Sequence, residues 1–342
     1  MHEIIFARKK LNEMTFLEIH EWSELTSSST HFSSPFYQYD FAKVANDTGN
    51  LVEVILGYVN KSVVFILPFQ YDSIIAKILG LARRVGGQLS DYSGAIISSN
   101  IAFNIDVASL PLSYLFLDHV PKQCQRLNVE EGYFYQEDSS QIILSGDSDT
   151  YFDEFKKRNK KYYNDVKRLE RMAERDFGPI NFTYKSIDQR EFEHLINKKI
   201  AQYKQMGVKN PLEKDWTKEM LRTLFKGGLA NITPVLSVLN AGDKWLASHF
   251  GVEANGIFHY WFPVHNNEVN KYSPGKQLLF KIIEKSYSEN IHCIDLGLGE
   301  TAFKDKFCNN SIPLYKTQMV SNSIYGKFTK AYQAALWKFK AV

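Results

Sequence analysis

Apolar and polar residues alternate along three segments of the C-terminal half, which predicts three β-strands. The segments are Thr233–Leu239, Lys244–Val252 and Ile257–Val264. Turn-forming residues at 240–243 and 253–256 separate them, so the strands should form an antiparallel meander. The spacing then becomes that of an amphipathic helix over 275–287, and an apolar strand follows at Ile291–Leu296. Strand, helix and strand in this order predict a right-handed crossover, and therefore a mixed sheet.

The N-terminal half contains a second hairpin, which has the same pattern of elements as the first but a different amino-acid sequence. Its strands, Leu51–Tyr58 and Ser62–Phe69, follow a helical pattern at Phe41–Asn46. A polar stretch at Gly146–Thr150 separates the two halves. We therefore expect two related α/β domains with mixed sheets, at residues 1–147 and 148–342, with a cleft between them.

The amino-acid composition mainly excludes some classes of function. The 342 residues are 44% apolar and 23% charged, and the formal charge is only +3. Because a strongly basic chain would be needed to argue for a polyanion, we expect no nucleic-acid partner. The chain shows no leader pattern and no apolar run of bilayer length, so we expect a cytoplasmic monomer that does not insert into membranes. Neither a disulfide framework nor a metal site fits the spacing of Cys124, Cys293 and Cys308.

One segment is an exception to the near-neutral charge. Residues 156–175 carry nine lysines and arginines against three acidic residues. The helical spacing of Phe155, Tyr162, Val166, Leu169 and Met172 predicts one buried face and one basic face. The basic face is either an ordinary solvated surface or a surface that meets a phosphate group or coenzyme A.

The loop K-Y-S-P-G-K-Q, Lys271–Gln277, joins the last meander strand to the predicted helix. Ser273 and Pro274 are typical of a helix N-terminus. Such a terminus presents unpaired backbone N–H groups and the positive end of the helix dipole. The pattern therefore indicates a place where a phosphate would bind.

The order of these parts resembles the core of GNAT acyltransferases. The motifs Y-S-P-G-K-Q-L-L at 272–279 and D-L-G-L-G-E-T-A-F-K at 295–304 are similar to those of CelD/BcsL-type tandem GNAT proteins. The loop G-G-Q-L-S-D-Y-S-G at 86–94 resembles a segment that this branch turns toward the acceptor. One departure is Pro274, which replaces a flexible position of the usual phosphate loop.

The resemblance implies two tandem GNAT-like domains, of which the second binds coenzyme A as an acyl-CoA donor. The pyrophosphate would lie against the loop before the helix, and the pantetheine arm would pair with the strand backbone at 260–264. The implied donor-binding residues are Tyr260, Trp261, Phe262, Val264, Lys271, Tyr272, Ser273, Gly275, Lys276 and Gln277.

Transfer of an acyl group to an amine needs a neutral amine, donors for the oxyanion and a proton for the leaving thiolate. The candidate catalytic residues are His249, Asp91 and Glu300, and the candidate substrate-binding residues are Asp91, Tyr92, His249, Asp295 and Lys304. Structural explanations stand beside these roles. A strand histidine can be a hydrogen-bonded core residue, an aspartate in a turn can cap its own backbone, and Glu300 can pair with Lys304.

Proteins of this branch include enzymes that acylate amino sugars. The resemblance therefore implies N-acyl transfer from acyl-CoA to an amino sugar by direct attack on the thioester. We expect a nucleotide-linked acceptor of the dTDP-3-amino-3,6-dideoxyhexose type, made for a surface polysaccharide such as a lipopolysaccharide O-antigen or a capsule.

Three other functions are weighed against this one. The letters I-D-L-G-L-G at 294–299 imitate a turn of methyltransferases that bind S-adenosylmethionine, but too little chain follows them for that fold. An aminoacyl-tRNA-dependent transferase of the FemABX type would use the basic segment, and it predicts salt-sensitive RNA binding. A tandem domain that binds a phosphorylated metabolite without turnover is the third.

Overall fold

The computed structural model describes residues 4–130, 132–299, 303–321 and 323–340. The chain forms two compact units. The first consists of Met1–Asp138 with Ile312–Val342, and the second of Ser139–Ser311. Glu300, a candidate catalytic residue, lies outside the described residues.

Both units contain helices and strands. The elements up to residue 128 are β1 (Ile5–Lys10), α1 (Phe16–Ser27), α2 (Tyr39–Asp47), β2 (Leu51–Val59), β3 (Ser62–Tyr71), α3 (Ile74–Ile78), β4 (Ala82–Arg83), β5 (Ile96–Ile97), β6 (Ile105–Asp106), β7 (Tyr114–Pro121) and β8 (Leu127–Asn128). The later elements are β9 (Phe134–Ile143), α4 (Ser148–Arg158), α5 (Lys160–Phe177), β10 (Ile180–Thr183), α6 (Gln189–Met206), α7 (Asp215–Lys226), β11 (Thr233–Ala241), β12 (Lys244–Ala254), β13 (Ile257–His265), α8 (Pro274–Ser286), β14 (Cys293–Leu298), α9 (Lys304–Phe307), β15 (Asn310–Val320) and α10 (Ile324–Lys340).

The first unit is built on a mixed sheet. Strands β1, β2, β3 and β4 are antiparallel neighbours, β4 pairs with β7 in parallel, and β7 pairs with β15 in antiparallel fashion. The short strand β5 adds to β3. Large aromatic side chains such as Trp22, Phe41, Phe65 and Phe69 are fully buried. Their burial removes apolar surface from water and stabilises this unit.

The second unit is also built on a mixed sheet. Strands β10, β11, β12 and β13 are antiparallel neighbours, β13 pairs with β14 in parallel, and β14 pairs with β9 in antiparallel fashion. Helix α8 contacts β11, β12 and β13. Its apolar stripe, Leu278, Leu279, Ile282 and Ile283, is fully buried, as the helical spacing predicted.

The two units therefore share one strand order. Each has four antiparallel strands, then a parallel neighbour, then an antiparallel one. The predicted α/β class with mixed sheets is confirmed. The predicted meander ends within two residues of the observed strands, since β11, β12 and β13 span 233–241, 244–254 and 257–265.

The units divide at different points from the predicted domains. The sequence suggested a boundary at 147/148, whereas the units separate at 138/139 and the first unit takes back residues 312–342. The physical reason is strand pairing. Residues 139–143 of β9 pair with β14, and residues 314–320 of β15 pair with β7. A polar stretch in the sequence does not show which sheet a neighbouring strand completes.

The basic segment is two helices rather than the one that its spacing predicted. Helix α4 ends at Arg158 and α5 begins at Lys160, because Asn159 between them leaves the helical region with φ −135° and ψ 49°. Phe155 and Val166 are buried, while Lys156, Lys157, Arg158, Lys160 and Lys161 are exposed. The expected division into a buried and a basic face therefore holds across the break.

Two expectations from composition can be compared with the described residues. None of their helices is long and apolar enough to cross a membrane. Nor do they contain a group of three or more His, Cys, Asp and Glu side chains that could hold a metal ion. All three cysteines are free thiols.

An irregularity in the second sheet lies in the middle of β13. Phe250 opposes Phe262 and Val252 opposes His259, so Gly251 alone faces both Tyr260 and Trp261. The extra residue makes this a β-bulge in β13. Glycine is required opposite it, because a Cβ atom at position 251 would lie 2.2 Å from the carbonyl oxygen of His259.

His249 holds the backbone of this bulge. Its Nε2 atom accepts a hydrogen bond of 2.9 Å from the N–H of Trp261, and its ring stacks on Tyr260 at 4.1 Å between centroids. The side chain is fully buried, and this burial keeps the pKa of His249 well below its usual value. A neutral imidazole can accept at Nε2, whereas a protonated one cannot.

We expect the substitution His249→Phe to destabilise the second unit by about 1–3 kcal/mol, because it keeps a ring but leaves the Trp261 N–H without its acceptor. It should also weaken the pH dependence of stability. In the unfolded chain His249 takes up a proton near pH 6.5, while in the folded chain it stays neutral, so folding loses stability as pH falls from about 6.5 toward the lower folded-state pKa. This loss is at most about 1.4 kcal/mol per pH unit.

The measurement is urea unfolding of both proteins at pH 7.5 and 5.5. The variant should lose less stability than the parent between the two values. Equal losses would contradict the assignment of a neutral His249.

Candidate active site

Strands β13 and β14 diverge from each other part of the way along. Their parallel pairing joins Ile257–His259 to Cys293–Asp295 and stops there, although both strands continue. The bulge at Tyr260–Trp261 begins at the same place. The later part of β13 therefore has backbone N–H and C=O groups that are not paired with β14, and an extended ligand could pair with them.

Asp295 lies at the point of divergence and is almost completely buried. Its carboxylate accepts hydrogen bonds from Ser139 Oγ at 3.0 Å, from Gln141 Nε2 at 3.1 Å and from the N–H of Gly297 at 2.8 Å. His259 Nδ1 lies 3.6 Å from the same carboxylate. These donors compensate the burial of the charge and fix the end of β14. The predicted role of Asp295 in substrate binding stays a prediction.

The loop before α8 ends in a tight turn. Ser273 has a left-handed backbone with φ 52°, and Pro274 begins the helix. The N–H groups of Lys276 and Gln277 donate to the carbonyl of Ser273 at 3.0 and 3.3 Å, and proline has no N–H. Within the described residues this leaves Gly275 as the first-turn residue whose N–H has no partner. A Cβ atom at Gly275 would meet nothing within 4 Å, so the helix start is open.

Two cations accompany this helix start. Lys271 is exposed, and its Nζ lies 4.8 Å from the centroid of the Tyr272 ring. Lys276 Nζ lies 4.7 Å from the Tyr162 ring. A positive helix end with two lysines is suited to an anion such as pyrophosphate.

Several residues predicted to bind the donor have buried side chains. Tyr260, Phe262, Val264, Tyr272 and Gln277 are at most 6% exposed. The Tyr272 hydroxyl donates to Asp176 at 2.7 Å, and Gln277 Nε2 donates to the carbonyl of Tyr272 at 2.8 Å. These side chains shape the loop and the core, so Tyr260, Phe262 and Val264 could meet a donor only through their backbone, whereas the side chain of Trp261 is half-buried.

Lys304 supports the end of β14. Its Nζ donates to the carbonyl of Gly297 at 3.1 Å and also to that of Leu298. The alternative that it pairs with Glu300 falls on a residue outside the described ones. Lys304 as a substrate-binding residue remains a prediction.

Lys199 of α6 was missed by the reasoning from sequence. It is 8% exposed, and its Nζ donates to the carbonyl of Pro263 in β13 at 3.1 Å. Burial lowers the pKa of Lys199 to about 8. A signal was available, because Lys199 continues the apolar stripe of Phe192, Leu195 and Ile196 by one further turn. A lysine on the buried face of a helix indicates a special environment.

The first unit has its own cavity beside its parallel strand pair. Its volume is about 350 Å³ and it lies against Ala82 and Arg83 of β4 and Phe116 of β7. Two ion pairs line it, Arg83 with Asp72 and Arg84 with Asp118. The remaining lining residues are Ala76, Leu81, Gly87, Gln88, Tyr114 and Gln333. Arg84 is buried, and this burial lowers its pKa to about 9.

The loop at 86–94 contributes to this cavity at its start. Gly87 and Gln88 line it, whereas Tyr92 is buried and packs beside Phe36 and Tyr37. Asp91 is half-buried, and its charge raises the pKa of Arg84 against the larger effect of burial. The structure therefore places Asp91 close to the paired arginine, with Gln88 as the loop side chain that faces the cavity.

Comparison with known proteins addresses the second unit most directly. The family model described as an acetyltransferase (GNAT) domain matches residues 160–305. This range contains the meander, the bulge, the helix start of α8 and the parallel strand β14. A search of curated proteins found no match.

Solved structures share the fold over nearly the whole chain. A structure of FemX covers 91% of this chain and 96% of its own, with 9% identity and a TM-score of 0.57. The C-terminal domain of a putative lysylphosphatidylglycerol synthetase from Agrobacterium fabrum covers 93% and 95%, with 10% identity and a TM-score of 0.51. A conserved protein of unknown function from Bacteroides thetaiotaomicron covers 92% and 100%, also with 10% identity and a TM-score of 0.51.

At these identities the likeness concerns the fold alone, while the family model adds the type of domain. Residues 160–305 match the acetyltransferase (GNAT) domain model, and this match supports an acyltransferase.

Proposed function

We propose that this protein transfers an acyl group from acyl-CoA to the amine of an amino sugar. The observation that supports this proposal most strongly is that β13 diverges from β14 beside the open N-terminus of α8. An acyl-CoA has an extended amide-containing arm and a pyrophosphate, and these two features match the part of β13 that does not pair with β14 and the positive helix end. The acceptor we favour is nucleotide-linked, of the dTDP-3-amino-3,6-dideoxyhexose type, in surface polysaccharide synthesis.

The donor would bind with its pyrophosphate near the N–H of Gly275 and the ammonium groups of Lys271 and Lys276. Its pantetheine arm would lie along β13 beyond the bulge. The thioester would then lie near the point where β13 and β14 diverge.

The reaction needs no covalent intermediate. The neutral amine attacks the thioester carbonyl, a C–N bond forms and the C–S bond breaks. The amine loses a proton, and the thiolate gains one. A sugar amine is partly neutral near pH 8, so positioning can provide much of the rate. We assign His249 a positioning role through the bulge, since its Nε2 already accepts from Trp261.

The cavity of the first unit is our proposed site for the acceptor sugar. Its paired carboxylates and guanidinium groups, with Gln88 and Tyr114, can donate to and accept from sugar hydroxyls. Because each arginine is already paired with an aspartate, the lining is close to neutral. Such a lining suits the hydroxyl-rich sugar of the acceptor better than its charged nucleotide.

A second candidate function is aminoacyl transfer from a charged tRNA. The observation that favours it is the exposed basic row at the junction of α4 and α5. Five cations without an intervening acid, Lys156, Lys157, Arg158, Lys160 and Lys161, could contact successive phosphates. On this hypothesis the donor would not need the helix start of α8.

Replacing Gly275 by aspartate should remove coenzyme A binding, because a carboxylate would occupy the open space where the pyrophosphate binds. Gly275→Ala is the matched control, since a methyl group meets nothing within 4 Å there. Coenzyme A at about 100 times its Kd should stabilise the parent and the alanine variant by about 2.7 kcal/mol. Thermal unfolding with and without coenzyme A measures this. Equal affinity in the aspartate variant would contradict the donor site.

Replacing Gln88 by alanine should raise the KM for the acceptor by about threefold to tenfold, the effect of one lost neutral hydrogen bond. The kcat and the affinity for coenzyme A should not change. Asp91→Asn tests the other loop residue in the same assay. Gln189→Ala, at an exposed position of α6, is the control. Thiol release at varied amino-sugar concentration gives both constants, and an unchanged KM for Gln88→Ala would exclude the cavity.

The tRNA hypothesis predicts binding that weakens steeply with salt. Changing Lys157, Lys160 and Lys161 to serine should make the slope of log K against log salt shallower by about 2 to 3. The same change at the exposed Lys61, Lys122 and Lys209 should alter it little. Fluorescence anisotropy with labelled tRNA measures the slope. If tRNA does not bind, or both triple variants behave alike, this second function is excluded.

A further inference from the structure

A group of large apolar side chains is exposed on the first unit. Helix α3 exposes Ile74, Ile75 and Ile78, each by at least 67%. Helix α10 exposes Ile324 by 89% and Phe328 by 58%. Single exposed apolar residues need no explanation, but contiguous ones mark interaction surfaces. We call these five residues the apolar patch.

Direct contacts join the two helices that carry the apolar patch. The Tyr325 hydroxyl donates to the carbonyl of Ile78, and Thr329 Oγ1 donates to the carbonyl of Leu79 at 3.2 Å. Ala76 of α3 and Gln333 of α10 line the same cavity. The exposed side chains of the apolar patch therefore lie on two adjacent helices.

The charges around the apolar patch have one predominant sign. The sequence of α10 contains four lysines and no acidic residue, and Lys327 is exposed beside Phe328. Lys77 lies between the isoleucines of α3. Glu53 pairs with Lys77 and Asp72 with Arg83, while Asp106 and Glu130 line a cavity together with Lys327 and Lys330 of α10. The surface thus offers apolar side chains with an excess of positive charge.

We propose that the apolar patch docks onto the surface of an anionic lipid bilayer. A basic helix with isoleucine and aromatic side chains on one face is the pattern that lies in the membrane interface. The isoleucines and Phe328 would enter the region between headgroups and acyl chains, and Lys327 would remain at the anionic headgroups. A second copy of the chain would have the same positive surface, so the charge favours lipid over self-association.

Docking in this way has a consequence for the cavity of the first unit. Because α3 and α10 both contribute to its lining, the cavity would lie beside the lipid surface. The proposal does not depend on the acyl-transfer reaction, since it rests on the exposed side chains and their charges alone.

The experiment is flotation of the full chain with vesicles of phosphatidylcholine, or of phosphatidylcholine mixed with phosphatidylglycerol. The parent should bind the mixed vesicles, and binding should weaken as salt screens the lysines. Ile75→Asp and Phe328→Asp should each lower the partition coefficient at least tenfold. Lys327→Glu should lower it about thirtyfold, from about 1 kcal/mol for each unit of charge.

Two controls have the same change in charge at other exposed positions. Ile187, which is 92% exposed on the second unit, becomes aspartate, and Lys61 becomes glutamate. Both should bind as the parent does. No binding to mixed vesicles, equal binding to both vesicle types, or equal loss in the controls would overturn the proposal. So would a dimer of the parent in sedimentation that Ile75→Asp dissociates, because the patch would then be an interface between copies.

Discussion

The second unit depends on one hydrogen bond in the middle of its sheet. An extra residue in β13 leaves the N–H of Trp261 out of the ladder, and His249 accepts it. Without an acceptor this N–H would cost free energy, which would favour a return of the strand to regular pairing. The opposite position must be glycine, since His259 occupies the space of a side chain there. Two residue types, the histidine at 249 and the glycine at 251, are thus fixed by one local geometry.

The position of this bulge explains the opening beside it. Parallel pairing with β14 ends at His259, immediately before the bulge. A bulge increases the local twist of a strand, so β13 turns away from β14 where a ligand would need the space. Asp295 then fixes the end of β14 through three donors. Interactions on both strands therefore stabilise the divergence, and no ligand is needed to keep the strands apart.

The regular elements could be predicted from the sequence because their periodicity is strong. The meander and α8 follow directly from alternation and helical spacing, and their ends differ by one or two residues. The unit boundary was harder to predict, because β15 pairs with β7, which lies about 200 residues earlier in the chain. Asn159 also gave no signal of a helix break. The roles of side chains were the least predictable. The alternation of apolar and polar residues shows that His249 and Asp295 are buried, but it does not show which atoms they contact.

The loop before α8 shows why a departure from a motif need not remove its function. Proline at the first helical position takes away one backbone donor, and the carbonyl of Ser273 accepts from two others, the N–H groups of Lys276 and Gln277. Each neutral hydrogen bond contributes only about 1 kcal/mol. A lysine that meets a phosphate at an exposed site contributes a similar amount, because water screens most of the Coulomb attraction. Lys271 and Lys276 can therefore replace the lost donors in energy.

They cannot replace the lost donors in geometry, because an ammonium on a flexible stem accepts many phosphate orientations. Selection of one phosphorylated donor over another must then come from the part of the ligand that pairs with β13. On this view the bulge, and not the helix start, determines which donor the protein uses.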